Sequence, residues 1–207
     1  MTKTLNQTDI KHPLAPTLGN NVPKRGNKLT MAIAHFFLRI TGWRIIGEVP
    51  NVPKMVVIGA PHTSYWDFWL AMMVVFSLGI RIEIMGMAQL FKFRPIGAMF
   101  RWAGVFPVVR ESSNGVVDQV ATRMSNREQM FLGVSPEGTR KKVTKWRTGF
   151  YHIAQKANVP ILPVSFIFPQ KQFVINPAFK TTGNMETDIE FLQSYYEDAI
   201  GKHRARS

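Results

Sequence analysis

The sequence predicts an α/β domain, a mixed and mainly parallel sheet flanked by helices and preceded by an N-terminal amphipathic helix. Three observations carry this. Short apolar runs alternate with helically spaced segments along most of the chain, which is the pattern of strands joined by crossover helices. The 207 residues suffice for one domain with a sizeable core and are too few for two. Hydrophobic residues make up 45% of the chain and cysteine is absent, so a core forms without a disulfide framework, a thiolate nucleophile or a Cys-ligated metal.

The elements follow in order. Residues 1–27 are rich in Asn, Pro, Thr and Lys without apolar periodicity, and are expected to be a flexible basic tail. Residues 28–207 form the single domain. Lys28–Ile40 carries Met31, Ile33, Ala34, Phe37, Leu38 and Ile40 at helical spacing. Met55–Ala60 reads as a buried strand, Ser64–Leu78 as a helix and Arg81–Met85 as a strand. Pro95–Ala103 reads as a helix, Val105–Val109 as a strand and Val116–Asn126 as a helix. Met130–Ser135, Ile161–Ile167 and Phe173–Ile175 are strands. Thr148–Ala157 and Thr187–Ile200 are helices. Val159-Pro160-Ile161-Leu162-Pro163-Val164 carries two prolines, which suit an edge strand or a groove wall.

Charge narrows the partners. Lys and Arg number 26 against 13 acidic residues, a net charge of +13, so polyanions are attracted. The basic residues are mostly interleaved with large apolar ones, as in Phe91-Lys92-Phe93-Arg94 and Trp43-Arg44-Ile45. That interleaving suits an anionic membrane surface. No RNP-like or zinc-spaced signature points to nucleic acid. No segment reaches the roughly 20 apolar residues of a spanning helix, and no signal-peptide core is present. A peripheral or monotopic protein on the cytoplasmic face of a membrane is expected.

Two motifs carry chemistry. Pro61-His62-Thr63-Ser64-Tyr65-Trp66-Asp67 leaves one strand and opens a helix. On a straight helix, positions five apart diverge by roughly 140°. His62 and Asp67 therefore meet only if the histidine folds back over the first turn. A carboxylate on one imidazole nitrogen fixes the tautomer and frees the other nitrogen as a general base. Ser64-x-x-Asp67 is also an ordinary capping box. The second motif, Ser135-Pro136-Glu137-Gly138-Thr139-Arg140, follows a strand. Gly138 permits close approach to the backbone. Thr139 and Arg140 suit a phosphate. Glu137, awkward beside an anion, orients Arg140 or meets a substrate hydroxyl.

The order His-x4-Asp, then Gly104-Val-Phe-Pro-Val-Val-Arg110, then Pro136-Glu-Gly-Thr-Arg140, then Val159-Pro-Ile-Leu-Pro-Val164 resembles the four blocks of the glycerolipid acyltransferase family. That family includes the 1-acylglycerol-3-phosphate acyltransferases. The resemblance runs from about Leu29 to Ile200 and extends to Lys145–Ala154. It implies His62 as base and Asp67 as its orienting partner. It implies Arg110, Glu137, Gly138, Thr139 and Arg140 as the acceptor-binding set, and membrane-associating helices before the α/β domain. It implies an acyl-CoA or acyl-carrier-protein thioester as donor, a lysophosphatidate-like glycerolipid as acceptor, and neither metal nor cofactor. Two departures stand out: Pro61 where the family often has Asn, and Met87 where many relatives carry Lys, which leaves room for a less charged acceptor.

Two other readings compete. One is a hydrolase with Ser135 as nucleophile, although Gly133-Val134-Ser135-Pro136-Glu137 lacks the second glycine of a nucleophile elbow. The other is a non-catalytic basic module that binds anionic lipid or nucleic acid. Phe68, Trp69, Met72 and Met73 are candidate walls for an acyl chain, or ordinary core residues.

Overall fold

A computed structural model describes residues 18–25, 27–61, 65–108, 115–138, 146–197 and 199. Helix α1, Lys28–Thr41, starts where the Asn27 side chain accepts from the Leu29 and Thr30 N–H groups, and stops at Gly42 in the left-handed region. It buries Ala34 and Leu38. Leu29, Ile33, Phe36 and Ile40 recur every three to four residues and stand more than half exposed. At about 100° per residue they form a stripe on the opposite side from Ala34 and Leu38.

Strand β1, Arg44–Ile46, follows, then β2, Lys54–Ala60, and α2, Tyr65–Leu78. The chain leaves β2 through a cis Ala60–Pro61 bond. Strand β3, Ile82–Met87, a 3-10 turn over Ala88–Phe91, α3, Arg94–Ala103, and β4, Val105–Val108, come next. The remainder is α4, Gly115–Ser125, β5, Met130–Val134, α5, Gly149–Ala157, β6, Ile161–Ile167, β7, Gln172–Ile175, and α6, Met185–Ser194.

The strands form one sheet in the order β1-β7-β6-β2-β5-β3-β4. Strands β6, β2, β5, β3 and β4 run parallel, and β7 turns back antiparallel on β6 with β1 parallel to it. The expected mixed, mainly parallel sheet is therefore present. Alternation along each strand divides the core in two. Met55 and Phe131 join Leu162, Val164 and Phe166 under α1 and α2. Val56, Ile58, Met130 and Leu132 pack on the other face against α4, α5 and Leu192 of α6. Helix α2 is apolar on nearly every side because it lies between the sheet and α1.

Polar ties fix the second layer. Tyr151 donates to Asp188 at 2.8 Å, and Thr182 donates to the same carboxylate through its N–H and hydroxyl at 2.8 and 2.7 Å. Glu83, on β3, accepts from Arg123 of α4 at 2.9 Å. On the first layer, Arg25 donates to the Trp102 carbonyl at 2.6 Å. Its guanidinium also lies over the rings of Phe76 and Trp102, which ties α2 to α3.

Four expectations need correction. β1 was not expected, because three residues beside Arg44 show no period and become a strand only by pairing with β7. The prolines do not mark an edge: β6 is interior, between β2 and β7. The Pro163 carbonyl accepts from Asn176 N–H at 3.0 Å, just past the end of β7. The last helix begins at Met185, capped by Asn184, and stops at Ser194 rather than near Ile200. Tyr196 is drawn to the sheet instead, its hydroxyl donating to the Ile58 carbonyl at 2.8 Å. Ile200 and residues 1–17 and 26 of the expected tail lie outside the described residues, but residues 18–25 pack on the domain: Val22 is buried in the core and Arg25 N–H donates to the Gly79 carbonyl at 2.7 Å.

Candidate functional site

Parallel strands carry their C-terminal ends to one edge, and sites form there because the loops gather at that edge. The motif segments leave β2, β4 and β5 at this edge. His62, Arg110, Thr139 and Arg140 lie outside the described residues. Asp67, Glu137 and Gly138 are described.

Asp67 sits in the first turn of α2, where the positive helix end favours a carboxylate. It is completely buried. It lines a cavity of about 230 Å³ between α2 and the sheet. Asp67, Phe68, Ala71, Met72 and Val75 supply the helical wall. The sheet wall includes the α2-facing residues of the strands, Val57 and Gly59, Ile82 and Ile84, Gly133 and Ser135, and Val164 and Phe166, with Val134 and Phe173 completing the lining. The cavity exists because Gly59 and Gly133 place no side chain on that wall. Of its fifteen lining residues only Asp67 and Ser135 carry polar groups, and both lie near the C-terminal edge. A smaller, wholly apolar void of about 40 Å³ shares Val57, Val75, Ile82, Val164 and Phe173, and reaches deeper to Met55, Phe131 and Leu162.

Ser135 directly follows β5 and, with Phe131 and Gly133, faces α2. Its Oγ is buried with no hydrogen-bond partner among the described residues. The loop then closes on itself and on the segment before α5. Gly138 N–H donates to the Ser135 carbonyl at 3.3 Å, and Arg147 N–H to the Pro136 carbonyl at 2.8 Å. Gly138 has φ +63°, and a Cβ there would stand 2.6 Å from Arg147 Cδ and Nε. Only glycine meets both demands. The group that approaches its backbone is thus the Arg147 side chain. Beneath the loop, the Trp146 ring meets Tyr196 edge-on at 5.2 Å. Burial first, and then the nearby Glu137 charge, push the Tyr196 phenol upward and keep it a neutral donor.

The structure thus brings Asp67 to an apolar cavity and sets Glu137 and Gly138 in the loop after β5. Of the four candidate chain-guiding residues, Phe68 and Met72 line the cavity. Trp69 turns outward, 58% exposed, and Met73 belongs to the core. Three residues acquire a place at the site that their spacing did not disclose: Ser135 as a wall, Arg147 as the clasp of the loop, and Tyr196 as its support. The Trp146-Arg147-Thr148-Gly149 stretch was the available signal for Arg147.

The sequence model of the acyltransferase family matches residues 44–167, which is more than half of the chain and spans β1 through β6. The chain belongs to the acyltransferase family. A solved structure agrees on the fold. The 1-acyl-sn-glycerophosphate (LPA) acyltransferase PlsC from Thermotoga maritima has a TM-score of 0.60 to this acyltransferase, at 16% identity over 83% of this chain and 78% of that one. No curated protein sequence matches the chain. The matched region holds Asp67, the loop after β5 and every lining residue of the cavity except Phe173, while α1 and α6 lie outside it.

Proposed function

We propose that the chain moves a fatty acyl group from acyl-CoA or acyl-carrier protein to the hydroxyl of a lysophosphatidate-like glycerolipid. The supporting observation is the apolar cavity with a buried carboxylate at its strand-end mouth. An acyl chain in that cavity leaves its thioester carbonyl at the polar end. His62, held by Asp67, takes the proton of the acceptor hydroxyl as the oxygen attacks. Base catalysis of this kind contributes typically ~10²–10⁴ in rate. The tetrahedral intermediate collapses, and the thiol leaves with the proton from His62. The thioester is already an activated acyl group, so the mechanism assigns no step to a metal or cofactor. Arg110, Glu137, Gly138, Thr139 and Arg140 hold the acceptor headgroup. Gly138 keeps the loop clasped by Arg147, and Glu137 orients Arg140 or meets an acceptor hydroxyl.

The same reading sets the protein on the cytoplasmic face of an anionic membrane. Among the described residues no helix is long and apolar enough to cross a membrane. The exposed stripe Leu29, Ile33, Phe36 and Ile40 of α1, flanked by Lys28 and Arg39, suits insertion to headgroup depth. Trp66 and Trp69 at the start of α2, and Phe93 and Ile96 at the start of α3, are also exposed. Both helix starts lie at the cavity's edge of the sheet. A lipid acceptor would then reach the mouth without entering water.

The test offers wild-type protein and His62→Ala a panel of lysolipid acceptors with acyl-CoA or acyl-carrier protein, and identifies products by mass spectrometry. Wild type is expected to form a diacyl product. A His62→Ala rate within tenfold of wild type rejects His62 as the base.

A further inference from the structure

A buried hydroxyl with no partner is uncommon, because leaving such a group unsatisfied is unfavourable. Ser135 Oγ is in that position among the described residues, and it sits on the wall of the cavity that also holds Asp67. The remaining lining residues are Val, Ile, Phe, Met, Ala and Gly. Asp67, when ionised, only accepts hydrogen bonds and repels negative charge. Among the described lining residues, Ser135 thus carries the one side-chain donor. It stands one residue past the end of β5 and beside Gly59, at the cavity's polar end.

We propose that Ser135 is a catalytic residue whose Oγ–H binds the thioester carbonyl oxygen as it becomes an oxyanion. The assignment rests on the acyl-transfer reading. In the step, the acceptor O–H bond breaks and its proton passes to the base. The new C–O bond forms, and the carbonyl π electrons move to the oxygen that Ser135 holds. Collapse restores the carbonyl, breaks the C–S bond and returns the proton to the departing thiolate. Ser135 forms no covalent bond and keeps its own proton throughout. Its missing partner among the described residues is then the substrate oxygen, and a donor already fixed in place stabilises developing charge best.

The experiment compares Ser135→Ala with wild type in acyl transfer from a long-chain acyl-CoA, together with thermal melting and a pH–rate profile. The variant is expected to lose on the order of 10²-fold in kcat, with KM for the thioester within about threefold. Its melting temperature should equal or exceed wild type, since an unsatisfied buried hydroxyl has been removed. The pH profile should keep its shape, because the base is untouched. Three outcomes overturn the assignment. A kcat within threefold of wild type removes Ser135 from the chemistry. A rate loss accompanied by a lower melting temperature makes it structural. A displaced pH profile makes it a partner of Asp67 instead of the carbonyl. If wild type transfers no acyl group to any acceptor, the acyl-transfer reading itself fails, and the Ser135 assignment fails with it.

Discussion

Filling the cavity at Gly133 should shorten the acyl chain that the protein accepts. Gly133 faces α2 from the middle of the sheet wall, one residue pair deeper than Gly59 and Ser135. A Cβ there would lie 3.1 Å from Ile82 Cδ1 and 3.4 Å from Ile84 Cγ1. The nearer contact is the tip of a side chain that can yield. Each buried methylene is worth about 0.8 kcal/mol, and about 1.4 kcal/mol is a factor of ten. Gly133→Ala takes the room of one carbon, so kcat/KM for the longest good substrate should fall about fourfold. Gly133→Val takes the room of three, about 2.4 kcal/mol or about 60-fold, and should move the preferred chain about three carbons shorter. Short-chain thioesters should be used at nearly wild-type rates. Valine favours a strand, so thermal melting should stay close to wild type and serves as the control for misfolding. The assay is kcat/KM across acyl-CoA chain lengths for the three proteins. Unchanged chain-length profiles in both variants would refute the cavity as the acyl site.

Further expectations concern the carboxylates and the exposed helix. Asp67→Asn keeps the shape of a fully buried side chain but removes its charge, so kcat should drop ~10²–10⁴ if it stabilises the imidazolium; steady-state kinetics within tenfold of wild type would refute that role. Burial alone would raise the Asp188 carboxyl. Hydrogen bonds from Thr182 and Tyr151 outweigh it and hold the group below the ordinary range. A depressed folded value means that this stabilisation is complete above the ordinary carboxylate value near pH 4 and is lost as pH falls through the folded value. Urea titrations between about pH 5 and pH 2.5 should therefore reveal an acid-limb loss of stability that Asp188→Asn flattens, with about 1–3 kcal/mol lost at neutral pH. Parallel acid limbs in both proteins would contradict this. Ile33→Glu with Phe36→Glu should cut binding to anionic vesicles at least tenfold, each large side chain being worth about 1.5–3 kcal/mol when buried. Raised salt should weaken wild-type binding. Co-sedimentation equal to wild type would show that α1 does not meet the bilayer.

The element pattern was largely legible in the chain. Alternating apolar runs disclosed β2, β5 and β6, and helical spacing disclosed α1, α2 and α4, because burial along one strand or helix leaves its period in adjacent residues. The ordered motifs disclosed the family. Short or partner-dependent elements were not legible. Three residues of β1 are a strand only through β7. Pro163 reads as an edge signal, yet sits in β6 between β7 and β2. Tyr196 ends α6 early by bonding Ile58, 138 residues away in sequence.

The chain by itself therefore determined an α/β acyltransferase fold, a basic surface and the motif carrying a histidine and a carboxylate. Only tertiary structure decided that Gly59 and Gly133 leave a cavity under α2, that Phe68 and Met72 line it while Trp69 turns outward, and that Ser135 faces Asp67's cavity. The physical reason is register. Which residues share a wall depends on how β2, β3, β5 and β6 align across the sheet and which face of α2 meets them, and those alignments join positions tens of residues apart that leave no period in the sequence.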